Sequence, residues 1–223
     1  MVGSERSVHI SAEGVSLEGI WAIPENALGL VLFAHGSGSS RLSPRNNYVA
    51  QILLDGGIGT LLFDLLSEEE DRVYATRFDI GLLSERLALA TRWTQRQPGA
   101  AGLPLGYFGA STGAAAALRA AAQFGDAIAA VVSRGGRPDL TGPAITQVTA
   151  PTLLIVGGLD DVVIGLNEQA FAALRAEKEL AIVPGATHLF EERGTLEAAA
   201  RLALEWFQRH FKAAAGAADG IGR

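Results

Sequence analysis

The chain has 223 residues, 48% of them hydrophobic and 19% charged, enough for a single domain with a full core. Its formal net charge of −6 argues against nucleic acid or an anionic membrane surface as a main partner. The absence of cysteine excludes disulfides, thiolate metal sites and a cysteine nucleophile.

The opening residues, Met1-Val2-Gly3-Ser4-Glu5-Arg6, lack an apolar leader, and no stretch reaches membrane-spanning length, so a cytoplasmic protein is expected. Ser7–Ile10 and Val15–Ile23 read as two antiparallel strands joined by a turn at Glu13-Gly14. Leu28–Ala34 is a continuous apolar run, as expected of a strand buried on both faces, and it leads into the glycine- and serine-rich loop His35–Arg41. Pro44 stands where a helix starts, and Tyr48, Ile52 and Leu53 carry its expected apolar stripe until Gly56-Gly57. Thr60–Leu66 is the next buried strand, Ser67–Arg72 an acidic loop and Leu82–Arg96 a helix.

Pro104–Phe108 reads as the central strand and alanine-rich Ala114–Ala122 as a helix. Strands follow at Ala127–Ser133, Thr152–Val156 and Leu180–Val183, with a helix over Asn167–Lys178 and a closing amphipathic helix over Thr195–Phe211. A single domain over residues 1–212 is expected, followed by a small-residue tail, 213–223, expected to be mobile. Buried strands alternating with helices imply a mostly parallel sheet covered on both faces. In such sheets the reactive groups lie in loops at the carboxyl ends of the strands.

Between the central strand and its helix stands Gly109-Ala110-Ser111-Thr112-Gly113, a G-x-S-x-G turn that would lift Ser111 Oγ clear of the sheet. A bland alternative makes Ser111 or Thr112 an ordinary helix cap. The later loops argue against it. Gly157-Gly158-Leu159-Asp160-Asp161 places an acid after one strand, and Pro184-Gly185-Ala186-Thr187-His188 places a histidine after the next. Nucleophile, acid and histidine thus occur in the chain order of the α/β-hydrolase fold. The serine needs a neutral imidazole to take its proton, and the imidazole needs a carboxylate to orient it and stabilise its transient charge. Asp160 follows the strand end more closely than Asp161 and is taken as the acid. The backbone N–H groups of Ser37 and Thr112 are the expected oxyanion donors. His35 is expected to brace its loop rather than act as a base.

Together, Ala34-His35-Gly36-Ser37-Gly38-Ser39, the elbow, Gly157–Asp160 and Gly185–His188 resemble the dienelactone hydrolase-like branch of the α/β-hydrolases along essentially the whole chain. The resemblance implies an α/β-hydrolase fold without a large lid domain and an esterase-type enzyme without cofactor or metal. Its triad carries onto Ser111, Asp160 and His188, and its oxyanion donors onto Ser37 and Thr112. Dienelactone hydrolases use a cysteine nucleophile, so serine at position 111 favours a serine esterase acting on a small or medium ester, as a monomer or homodimer. Lactone or thioester hydrolysis on the same triad, and a non-catalytic binding protein, are the alternatives. Arg41, Arg134 and Arg137, with Arg45 nearby, lie in or beside the loops of this face. They are candidates for contacting an anionic substrate group, against the plainer reading of solvated surface arginines. The run Glu68–Asp71 is read as a wet loop rather than a cation site. Trp93, Trp206 and Phe207 are expected in the core.

Overall fold

A computed structural model describes residues 5–12 and 14–221. Strands β1 (Arg6–Ala12) and β2 (Val15–Ala22) form an antiparallel hairpin in which Arg6 faces Trp21 and Ala12 faces Val15. Gly14 turns the hairpin at φ 83°; Glu13, the other half of the expected turn, lies outside the described residues. Strands β3 (Leu30–Ala34), β4 (Gly59–Phe63), β5 (Leu105–Ala110), β6 (Ile128–Arg134), β7 (Thr152–Gly157) and β8 (Lys178–Val183) complete one eight-stranded sheet. Its order is β1-β2-β4-β3-β5-β6-β7-β8. The β2–β4 pair is antiparallel, and every pair from β4 to β8 is parallel.

The apolar runs behave as a two-sided sheet requires. In β3, Leu30, Leu32 and Ala34 enter one core layer while Val31 and Phe33 enter the opposite one. Helices α3 (Ile80–Gln95), α4 (Thr112–Phe124) and α5 (Asp161–Ala173) cover the first face, and α1 (Pro44–Asp55) and α6 (Thr195–Ile221) the second. On α6, Trp206, Phe207 and Phe211 are buried, each side chain worth about 1.5–3 kcal/mol of removed apolar surface. Trp93 packs edge-on against Trp21 at 5.4 Å. The segment between β6 and β7 forms short 3-10 turns over Pro138–Gln147 rather than a lid domain. Among the described residues, no helix is long and apolar enough to cross a membrane.

Several elements differ from the sequence reading. On α1 the buried positions are Asn46, Val49, Ala50 and Leu53, whereas Tyr48 is exposed; the core-facing stripe is offset from the one expected. The acidic loop forms a single helical turn, α2 (Glu68–Asp71), closed by a reciprocal cap between Ser67 and Glu70. Helix α5 begins at Asp161, six residues before the expected Asn167. Asp160 occupies its N-cap without capping it, because its carboxylate is turned to another partner. Helix α6 runs on to Ile221 through the alanine-rich segment expected as a tail.

Candidate active site

Ser111 sits between β5 and α4 with φ 51° and ψ −122°, a conformation costly for any residue with a Cβ. Its surroundings hold it there. The Ser111 N–H donates to the Arg134 carbonyl at 3.4 Å, and the Ser111 carbonyl accepts from the N–H groups of Arg137 (3.0 Å) and Ala114 (3.1 Å). The flanking glycines are required by close approach. A Cβ on Gly113 would lie 2.0 Å from the Ala34 carbonyl oxygen, and one on Gly109 2.5 Å from Ala114 Cα. The elbow therefore sets Ser111 at the N-terminus of α4, where the first N–H groups lack intrahelical acceptors and carry partial positive charge.

The loops after β7 and β8 bring the other two groups together. Gly158 N–H bonds the Val183 carbonyl (2.8 Å) and Leu159 N–H the Ala186 carbonyl (2.9 Å), which zips one loop to the other. His188 Nδ1 then lies 2.7 Å from Asp160 Oδ2. An ionised carboxylate only accepts, so Nδ1 carries the proton and Nε2 is left as the acceptor. The Asp160 carboxylate is mostly buried and the His188 ring partly exposed. Asp161 is spent differently, opening α5. Ser111 and His188 line one pocket of ≈ 200 Å³, together with Gly36, Ser37, Asn46 and Arg134. Among the described residues Ser111 Oγ makes no hydrogen bond, so the nucleophile–base contact has yet to close. Such contacts are often long before substrate binds.

The expected oxyanion donors stand unequally. Thr112 N–H is the first donor of α4, without an intrahelical acceptor. Ser37 N–H donates to Thr112 Oγ1 at 3.0 Å, so it must exchange that hydroxyl for an oxyanion before it can serve one. His35 is a brace. Its Nε2 accepts from Leu65 N–H at 3.0 Å, so Nδ1 carries the proton and donates to the Gly36 carbonyl at 3.0 Å. Burial pushes its pKa down and keeps the ring neutral.

The arginines separate into two kinds. Arg41 is ion-paired to Asp64 and Glu18 and does not line the pocket, which removes it from the candidates. Arg137 forms a two-pronged pair with Asp139 (2.9 and 2.8 Å), again outside the pocket lining. Arg134 lines the pocket with only 6% of its surface exposed. Three of the four acids of the turn are paired, Glu70 with Arg86, Asp71 with Arg77 and Glu68 with Arg72. Asn46 is a pocket residue that sequence reasoning missed, buried with Oδ1 unpartnered. The chain gave little signal for it: the stripe expected on this helix ran through Tyr48, Ile52 and Leu53, and only the folded helix sets Asn46 on one buried face with Val49, Ala50 and Leu53.

Comparison with known proteins agrees with this architecture. The model of the dienelactone hydrolase family matches residues 58–215. A dienelactone hydrolase of Anabaena variabilis is 54% identical, with a TM-score of 0.90, covering 93% of this chain and 98% of that one. The esterase domain of a Rhodothermus marinus protein shares the fold alone, at 20% identity and a TM-score of 0.75 over 93% of this chain and 99% of that one. A Mycobacterium tuberculosis protein provisionally named a phosphoribosyl transferase is 56% identical over 206 residues. That match takes in 92% of this chain but 46% of the relative, so the chain spans about half the length of that curated protein. With its mostly parallel sheet, its helices on both faces and its serine elbow, the chain belongs to the dienelactone hydrolase family.

Proposed function

We propose that the chain is a serine hydrolase that cleaves small or medium carboxylic esters through an acyl-enzyme. The observation that carries this reading is the Asp160–His188 bond of 2.7 Å, aimed into the pocket that the strained Ser111 also lines. His188 Nε2 takes the Ser111 proton as Oγ attacks the ester carbonyl. The carbonyl oxygen becomes an oxyanion facing Thr112 N–H and, once released from Thr112 Oγ1, Ser37 N–H. The tetrahedral intermediate collapses, the C–O bond to the alcohol breaks, and His188 returns its proton to the leaving oxygen. Water, deprotonated by His188, then attacks the acyl-Ser111, and collapse of the second intermediate frees the acid and regenerates Ser111.

A lactone runs through the same steps with the alcohol still tethered, and the name of the Anabaena relative favours that variant. Phosphoribosyl transfer, named for the Mycobacterium relative, is not ascribed to this half-length match. The test is labelling with a neutral fluorophosphonate alongside turnover of p-nitrophenyl acetate and butyrate. Labelling and turnover that disappear in S111A and H188A support the proposal. A well-folded chain that neither labels nor turns over short esters would make it a binding protein.

A further inference from the structure

The three groups of the proposed triad belong to two bodies. The elbow that carries Ser111 is held by the loop after β6: the Arg134 carbonyl accepts from Ser111 N–H, and Arg137 N–H donates to the Ser111 carbonyl at 3.0 Å. Asp160 and His188 belong to the loops after β7 and β8 and bond each other at 2.7 Å. Among the described residues no hydrogen bond joins His188 to Ser111, so the framework sets the gap between the two bodies. The pairing of β6 with β7 ends at Arg134↔Ile155, and Gly135 N–H adds one bond to the Ile155 carbonyl at 2.8 Å. Gly136, Arg137 and Asp160 all lie beyond that pairing.

One side chain spans what the sheet leaves open. Asn167 is fully buried on α5, two turns beyond Asp160, on a face it shares with Val163 and Ala170. Its Nδ2 donates to the Gly136 carbonyl at 3.0 Å and to the Val163 carbonyl at 2.8 Å. Carbonyls only accept, so both amide protons are committed and the orientation of the side chain is fixed. Its Oδ1 is sealed without a partner among the described residues, a cost that an apolar side chain would avoid. Gly136 has no slack to absorb a shift. A Cβ there would lie 1.9 Å from Ser133 Oγ and 2.5 Å from the Cβ of Ala114, on the helix that the elbow opens. Among the described residues, the Asn167–Gly136 bond is the one side-chain hydrogen bond between α5 and residues 134–137. Asn167 is not among the residues that line the pocket, so it acts through others.

We infer that Asn167 is a positioning residue: by clamping the helix that follows Asp160 to the loop that holds the elbow, it sets Ser111 at reacting distance from His188. The inference rests on the hydrolase reading and adds to it a residue outside the pocket. The test compares N167L with wild type, as full chains, in the kinetics of Ser111 labelling by a neutral fluorophosphonate. Leucine keeps the branching of the side chain and removes both donors.

Misplacing a reacting pair by about 1 Å can cost about a hundredfold in rate, so labelling at saturating probe is expected to slow by about 10–100-fold. The half-saturating concentration should stay within about twofold, because binding of the probe does not involve Asn167. Labelling should still run to the same final extent, and the proton resonance of His188 Nδ1–H should persist, since acid and base remain paired. A role in packing alone would instead lower the final extent and leave the rate of the folded fraction unchanged. That result overturns the positioning role, as does labelling at the wild-type rate, slowing seen only in the half-saturating concentration, or loss of the His188 resonance. Each of these leaves the hydrolase reading intact. If N167L does not fold, N167S, whose hydroxyl falls one bond short of the amide nitrogen, carries the same test with the same outcomes. Failure of both to fold makes Asn167 part of the framework and overturns the positioning role. Wild type that does not label at all removes the hydrolase reading, and the positioning role with it.

Discussion

Replacing Asp160 by Asn tests the relay that holds the proposed chemistry together. In the proposed reaction, proton transfer from Ser111 would turn His188 into a cation, and its Nδ1 sits 2.7 Å from the carboxylate. At an effective dielectric of about 20, two unit charges at that separation attract by about 6 kcal/mol. An amide keeps part of this through its dipole, yet it also offers an N–H to the Nδ1 side, which favours the wrong tautomer. A net loss of roughly 4–5 kcal/mol of transition-state stabilisation corresponds to about 10³–10⁴ in rate. The assay is kcat/KM on p-nitrophenyl butyrate, with the acylation burst followed separately and thermal melting as a control for folding. The neighbouring Asp161→Asn, which only opens α5, should change kcat/KM by no more than about twofold, since surface changes remote from the chemistry act weakly. A D160N enzyme within tenfold of wild type, or a D161N variant equally impaired, would refute the assignment of the acid.

The elbow stores strain that can be read as stability. Ser111→Gly, free to adopt φ 51°, should abolish ester turnover yet stabilise the fold by about 1–2 kcal/mol, seen as a raised denaturation midpoint at unchanged m-value. Gly113→Ala should do the opposite, because its Cβ would sit 2.0 Å from the Ala34 carbonyl; a loss of about 2–4 kcal/mol, measured by urea unfolding, is expected. His35 sets a pH dependence. Its folded pKa lies below the unfolded value of about 6.5, so the unfolded chain binds the proton more readily. The His35 contribution is therefore complete above pH of about 6.5 and is lost as pH falls toward the folded pKa, at up to about 1.4 kcal/mol per pH unit. His210, also depressed by burial, adds a slope of the same sign. His35→Gln should flatten the curve by up to one proton in urea titrations between pH 7 and 5, and an unaltered slope would show that His35 is not the titrating group.

Much of this protein is legible along the chain. The buried strands announce themselves as continuous apolar runs because both faces of a parallel sheet are covered, and no polar alternation is tolerated there. The elbow is legible because Gly109 answers to a contact inside its own strand–helix turn, Ala114, although the contact that requires Gly113, the Ala34 carbonyl, comes from the neighbouring strand β3. The order of Ser111, Asp160 and His188 survives as order in the sheet, since the three follow the carboxyl ends of β5, β7 and β8. What tertiary structure alone decided is how side chains are paired. Asp160 rather than Asp161 meets His188 because the two loops are zipped by backbone hydrogen bonds. That bond in turn draws Asp160 away from capping α5, whose early start local pattern did not indicate. Arg41 is bound by Asp64 and Glu18, and Arg137 by Asp139, while Arg134 has no partner among the described residues; from the chain the three read alike. Periodicity and propensity are properties of neighbours in sequence. Counter-ions and burial are properties of neighbours in space, such as Arg45 and Glu191, 146 residues apart, and only folding brings those together.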